Sequence, residues 1–587
     1  MLGEVGRRAH ATRRGYVRSL AWLLPLGLAL ACGSEGRKSF EEDVSGNQPG
    51  AGSSGGFGAE QGCGAGGKMC VGNDVHQCTD KGEAGAFVKT CDATGDFCVA
   101  GECKSGCDAA EQQASNVGCE FWAVDLDNEY SSFNDAAGAP WGVVVSNFGA
   151  APAQVIVERN DAPLGAPPVV GHVVTRTIAP GQLAEIELPT REVDGSTQAD
   201  NGPGTFVSPN GYRIRSSVPV VVYQFNTLRH TFSNDASLLV PKNGLGLVHR
   251  VVGWPTANPI SGGFAVAGIP DHSFVTILGT EPNTKIKIVA GGPMVAGGPI
   301  PALPKGGVFE GTIGPFDVIN LESTGIPGDL SGTIVEASLP VAVFTGGERG
   351  IAPIGKGVPT PPSYVEGDGH CCTDHLEEQV LPVSSYGRDF VVTRSPIRSR
   401  GWVEPDLLRF MGVAAPTEVK TSMPPPFDRF TLQPGEVKDT WTTTDIVVEA
   451  TEPLVIAQIL VSQGFTEKAE WSGDPSLTIF PPVDQYRRDY LFQVPPSWQA
   501  NFVVISAEVG ADVKIDGKAP TDCVVAPAGS VKGKTWEARR CRIGEGAHKM
   551  VGDKPFGIVA YGYGSRGSYA FIGGANVRRI YVAPPLK

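Results

Sequence analysis

The sequence predicts an all-β chain: tandem β-sandwich-like repeats, or a propeller-like array as the alternative, preceded by a disordered tether and a small disulfide-rich module. Three observations point there. Gly and Pro number 77 and 47 among 587 residues, a usage that favours many turns and short strands over long helices. No apolar run of helical length recurs with a 3.6-residue period. Short alternating runs do occur, as in Lys285-Ile286-Lys287-Ile288 and Asp512-Val513-Lys514-Ile515-Asp516, and they suit half-exposed strands. Finally, a proline opening an apolar strand returns four times, at Pro219, Pro340, Pro453 and Pro555, with intervals of 121, 113 and 102 residues.

The chain begins with a basic stretch, Arg7, Arg8, Arg13, Arg14 and Arg18, followed by the apolar segment Leu20 to Ala31. That segment is too short for a stop-transfer helix and has the layout of a signal peptide. Its end, Leu28-Ala29-Leu30-Ala31-Cys32-Gly33, resembles a bacterial lipobox, with Ala29 where leucine is usual. Residues 1–31 are therefore expected to be a signal peptide and Cys32 the lipidated residue, anchoring an exported chain at the outer membrane or cell surface. An ordinary secretory signal with another cleavage site is the alternative, and it exports the chain equally. Residues 32–62 carry almost no large apolar side chain. They cannot bury enough surface to offset chain entropy, so they read as a tether. Removing residues 1–31, with five Arg and one Glu, takes the formal charge from −14 to −18. A nucleic-acid partner would need a basic face instead.

Residues 63–119 hold Cys63, Cys70, Cys78, Cys91, Cys98, Cys103, Cys107 and Cys119 among small and polar residues. A segment this small and this poor in core residues needs staples, and export makes them disulfides. The pairing is open. A zinc module would want paired C-x2-4-C knuckles; only Cys98/Cys103 and Cys103/Cys107 approach that, and His76 is the nearby imidazole.

Four repeats follow, read as 120–255, 256–396, 397–495 and 496–587. Comparable strand pairs stand upstream of each proline strand, and Pro180-Gly181 and Pro434-Gly435 supply type II turn chemistry. Downstream of the first three lies a second shared element. It runs from Asp235 to Pro241, from Asp374 to Pro382 and from Asp474 to Pro481, and the fourth repeat lacks it. Cys523 and Cys541 flank a hairpin in the fourth repeat and are expected to pair.

Candidate sites are few. Asp125-x-Asp127-Asn128-Glu129 offers oxygen ligands for calcium. It lacks an EF-hand's glycine, Tyr130 standing in that place, and turn-capping acids are the plainer reading. No other cofactor is expected. Lys532-Gly533-Lys534-Thr535 is one residue short of a P-loop and has no helix to hold phosphate. Nine histidines occur, none in a recognisable hydrolase motif, and no catalytic residue is assigned. In Gly369 to Pro382, GHCCTDHLEEQVLP, the acid and the apolar positions belong to the repeat frame, which leaves His370, Cys371, Cys372 and His375 as special to the second repeat. A vicinal Cys371–Cys372 disulfide is the simplest accounting; separate partners and a metal are the alternatives.

The stretch from Gly118 to Asn128, GCEFWAVDLDN, with YQFN at 223–226, SNDASLLVP at 233–241 and CCTDHLEEQVLP at 371–382, resembles the N-terminal domain family of IgGFc-binding proteins. The resemblance covers most of residues 118–587. It implies a non-catalytic, extracellular, β-rich binding region with an unidentified protein or glycan ligand, serving adhesion or as an envelope scaffold. A glycan-binding module or carbohydrate-active enzyme is the alternative function.

Overall fold

The structure, a computed structural model, describes residues 66–586 except 72–73, 92–95, 113, 132–133, 192, 194–203, 229–232, 257–270, 326, 355–356, 366–371, 472 and 497. The expected signal peptide, Cys32, the tether, Cys63, His370 and Cys371 lie outside the described residues.

One long strand organises each repeat: Tyr212–Asn226, Ile334–Gly350, Ile446–Ile459 and Gly546–Gly564. The prolines expected to open these strands sit inside them instead. A proline has no N–H to give to the ladder, so pairing must be interrupted there. The register beside the long strand accordingly jumps across the proline in every repeat, between Arg215/Val220, Glu336/Val341, Glu449/Leu454 and Val551/Phe556. The two halves of the strand serve different neighbours. In the first repeat, Tyr212 to Ser216 pair with Ala153–Asn160, while Val221 to Phe225 pair with Trp141–Asn147. Each sheet therefore curls over on itself in sandwich fashion.

The four sheets have seven, eight, seven and seven strands. Their arriving strands are Gly118–Ala123, Gly246–Arg250, Gly387–Val392 and Arg487–Val494. Read from the sequence, Gly246 to Arg250 and Gly387 to Val392 closed a repeat, yet each pairs with the long strand that follows it. Phe206–Ser208 also crosses over, pairing with Val318–Glu322 of the second sheet.

Central strands complete the repeats: Asp235–Leu238, Asp374–Gln379, Leu477–Ile479 and Gly567–Ile572. The first borders the second and the fourth, and the third borders the same two. The ring closes between the fourth repeat and the first. Tyr223 Oη donates to the Gly573 carbonyl at 2.8 Å, the Tyr223 and Phe571 rings lie 4.8 Å apart, and Asn116 N donates to the Ala575 carbonyl at 3.1 Å. One apolar cluster runs from Val221 and Tyr223 through Ile456 to Phe571. Sandwich-like curl and a propeller-like ring thus occur together in this all-β chain.

Behind each of the first three central strands a proline caps a short 3-10 turn, at Lys242–Gly244, Val383–Ser385 and Val483–Gln485. Pro241, Pro382 and Pro482 press on Gly118, Gly246 and Gly387, leaving no space for a side chain at those glycines. In the third repeat the counterpart is Pro482 rather than Pro481.

The cysteine-rich segment forms a three-stranded sheet, a hairpin and one helix of six residues, Gly106–Glu111. Ser105 caps that helix, its Oγ accepting from Asp108 N at 3.1 Å. Cys70–Cys98, Cys91–Cys103 and Cys107–Cys119 are disulfides, so these six sulfurs are committed to one another rather than to zinc. Cys119 lies on the arriving strand of the first repeat, and the third bond ties the module to the ring.

Candidate functional site

Central strands are short because they are wedged among four sheets, and their polar side chains have no water to turn to. Hydrogen bonds must come from the neighbouring repeats. Asp374 of the second repeat accepts from Asn234 N of the first at 2.6 Å and from Ser568 N of the fourth at 2.9 Å. Asp474 of the third accepts from Cys372 N at 3.1 Å, and its own N–H donates to Ser568 Oγ at 2.9 Å. Asp235 of the first accepts from Ser476 Oγ at 2.6 Å, Leu477 N at 2.9 Å and Glu377 N at 3.3 Å. The same idiom continues outward. Glu377 accepts from Ser237 Oγ at 2.9 Å and Gln379 from Val240 N at 2.6 Å.

Burial pushes the Asp235 carboxyl up to about 8 against its donors, and Asp474 to about 7. It also holds Asp374, Glu377 and Glu378 well above the usual carboxylate range. Neighbouring acids reinforce this, Asp474 at Asp374 and Asp235 at Glu377. Burial lowers His375 to about 3, so its imidazole is neutral beside Glu377, with Nε2 3.6 Å from Oε2. Raised carboxyls in a cleft would suggest chemistry. Here they are fully buried and spent on backbone N–H and serine hydroxyl groups of adjacent repeats, so they hold the ring together.

The residues expected to bind calcium turn to separate partners. Asp125 accepts from Arg191 N at 2.8 Å, and burial raises its carboxyl well above the usual range. Asn128 donates to the Ser233 carbonyl at 3.0 Å and accepts from Ser233 Oγ at 2.8 Å. Glu129 pairs with Arg349 at 3.1 Å. Asp127 faces the second repeat, where a side chain at Gly204 would collide with both Asp127 Oδ2 and Glu322 Oε1.

Beside Asp127 stands the one cluster of metal-ligand type among the described residues: His272, Glu322 and Glu348, all buried, their ligand atoms within 4.8 Å of one another. His272 precedes the strand Ser273–Gly279, Glu322 ends Val318–Glu322, and Glu348 lies on the long strand Ile334–Gly350. Sequence reading missed this grouping. Its signal was an acid ending the apolar run Val318-Ile319-Asn320-Leu321.

The remaining cysteines are also placed. Cys523–Cys541 is a disulfide. Cys78 and Cys372 are disulfide-bonded as well. Lys532-Gly533 forms the hairpin turn between Cys523–Val531 and Lys534–Arg542, both residues at positive φ, and Lys532 Nζ sits 2.7 Å from Asp484. That is turn geometry with no phosphate cradle. On the surface, an open groove of about 410 Å³ runs between the first and fourth repeats, lined by Phe148, Val221, Arg487, Tyr490 and Lys549 among others.

A family model described as "IgGFc binding protein" matches residues 235–562, more than half of the chain. The chain belongs to the IgGFc-binding family. The matched region begins at Asp235, the first of the central acids, and takes in the second sheet apart from Phe206–Ser208, the third sheet and most of the fourth. The human IgGFc-binding protein is 27% identical over 222 residues, which cover 37% of this chain and 4% of that protein. The chain thus spans a small fraction of that relative's length. No solved structure matches the chain. Within the IgGFc-binding family this chain is a β-rich member. Among its described residues no helix is long and apolar enough to cross a membrane.

Proposed function

We propose that the chain is an exported, lipid-anchored surface protein whose ring of β repeats binds a protein ligand without catalysis. Cys32 carries the anchor, residues 32–62 hold the ring away from the membrane, and the stapled module joins tether to ring. One observation carries the binding reading: the buried acids Asp235, Asp374 and Asp474 are consumed in clamping repeat to repeat. A ring held this way is a rigid frame, which leaves the outer loops and the groove between the first and fourth repeats for recognition. Preorganised surfaces bind with less ordering cost.

The name of the human relative states an Fc ligand, and the 4% coverage keeps that ligand with that protein. What supports a protein partner here is membership of the family. A vicinal Cys371–Cys372 disulfide belongs to the same proposal, as a staple just ahead of the second central strand. Protease shaving of intact cells, followed by pull-down from extracellular material and a glycan array with the purified chain, tests the reading. Release of ring peptides and capture of a protein would support it. A chain shielded from protease, or binding to glycans alone, would overturn it.

A further inference from the structure

Beyond ligand binding, we propose that His272, Glu322 and Glu348 form a site for a divalent transition-metal ion, zinc or manganese. The site lies at one edge of the second repeat, against Asp127 of the first.

His272 Nδ1 lies 2.6 Å from the Ser323 carbonyl. A carbonyl only accepts, so Nδ1 carries the proton and Nε2 presents a lone pair. That Nε2 is buried and has no hydrogen-bond partner, in a residue only 7% exposed. It points at Glu322, whose Oε2 is 4.0 Å away. A ring held by Nδ1–H to a backbone carbonyl, with the other nitrogen left as a base, is the arrangement that orients metal-binding histidines.

The carboxylates are held as firmly. Glu322 is 0% exposed, and its Oε2 accepts from Gly204 N at 2.5 Å. Glu348 is buried on the long strand, and its N–H donates to the His272 carbonyl at 3.1 Å, which fixes the two residues side by side. Ligands about 2.1 Å from a metal stand roughly 3.4–4.2 Å apart. The 4.8 Å envelope of these three atoms closes to that spacing by small side-chain rotations. Asp127 flanks Gly204 together with Glu322 and borders the group without belonging to it.

The donor set selects the ion. Calcium and magnesium take oxygen ligands, whereas an imidazole with carboxylates suits zinc or manganese. Sequence reading pointed to calcium at Asp125–Glu129. The structure spends Asp125 and Asn128 on internal hydrogen bonds and sets Asp127 beside Glu322 across Gly204 instead. A bound ion would join the ends of three strands of the second repeat.

The test uses the full chain, freed of metal with chelator and dialysed separately against Zn²⁺, Mn²⁺ and Ca²⁺, with bound metal measured by mass spectrometry. We expect about one Zn²⁺ or Mn²⁺ per chain, a thermal midpoint raised by the ion and returned by EDTA, and at least a tenfold loss of affinity in His272→Gln. Should His272→Gln fail to fold, Glu348→Gln repeats the measurement. Electron spin-echo spectroscopy of Mn²⁺ in the unaltered chain must in any case show one coordinated imidazole nitrogen. Absence of bound metal, equal binding by His272→Gln, calcium binding alone, or a Mn²⁺ spectrum without imidazole nitrogen would each overturn the proposal.

Discussion

Asp374 and Ser568 stand 194 residues apart in the chain and 2.9 Å apart in the ring, the carboxylate of one accepting the backbone N–H of the other. The second and fourth repeats are not neighbours in sequence. Their contact exists because four short strands share one centre, where each acid reaches past its own sheet. The ring is thereby a consequence of polar satisfaction as well as apolar packing. A buried N–H left without an acceptor costs about 1–3 kcal/mol, and the central acids supply such acceptors across repeat boundaries.

Asp374→Ala should therefore destabilise the chain by roughly 3 kcal/mol, since it orphans the N–H groups of Asn234 and Ser568 together. Glu452→Ala removes only an exposed pair with Arg388 and should cost less than about 1 kcal/mol. Denaturant midpoints of the two variants compare them. Equal midpoints would show that the central acids clamp nothing.

Stability should fall as pH rises from about 4 to 8. Burial raises Asp235 to about 8 and Asp474 to about 7 in the folded chain, while unfolded aspartates titrate near ~3.9. In that window the folded state keeps protons that the unfolded state has released, so their contribution is full below ~3.9 and is lost as pH climbs through the folded values. Glu158 and Glu404, held low by arginines, act oppositely in more acid solution. His249 and His375, lowered to about 3 by burial, do so up to about pH 6.5. The two histidines are outnumbered by the five raised acids Asp235, Asp374, Glu377, Glu378 and Asp474. Urea midpoints at pH 5 and pH 8 should differ in favour of pH 5; the reverse order would refute the assignment.

Gly387→Ala should cost about 2 kcal/mol through overpacking. A Cβ at that position would lie 2.6 Å from Pro482 Cβ, and backbone on both sides is fixed by the 3-10 turn and the arriving strand. Pro453→Ala, by contrast, sits where the register already jumps, loses no ladder bond and should cost under about 1 kcal/mol. Thermal unfolding of both variants reads the difference, and a larger loss for the proline change would contradict this account of the bend.

Cys32→Ala should move the chain from the membrane fraction to the soluble exported fraction and abolish labelling by a palmitate analogue. Retention in the membrane with lipid label intact would place the anchor elsewhere.

Much of the frame was legible in the chain. The recurrence of Pro219, Pro340, Pro453 and Pro555 announced four repeats because a bent strand needs a residue with no N–H at the bend. Asp235, Asp374 and Asp474 were visible as shared positions, though as turn residues, since local sequence cannot show that an acid's acceptor role is filled by another repeat. The strand Gly246 to Arg250 was assigned to the wrong side of a boundary for a related reason. Its partner is the second long strand, which begins at Ile334, and periodicity carries no record of pairing at that distance.

By itself, the sequence determined the all-β class, the fourfold recurrence, the stapled module and the family, because these rest on strand periodicity, proline chemistry, cysteine usage and short motifs. Only the tertiary structure decided that the repeats close into a ring, that the central acids join repeats rather than cap turns, and that His272, Glu322 and Glu348 meet. Each of those depends on which distant residues lie within about 3–5 Å, a matter set by packing four curled sheets around one polar centre.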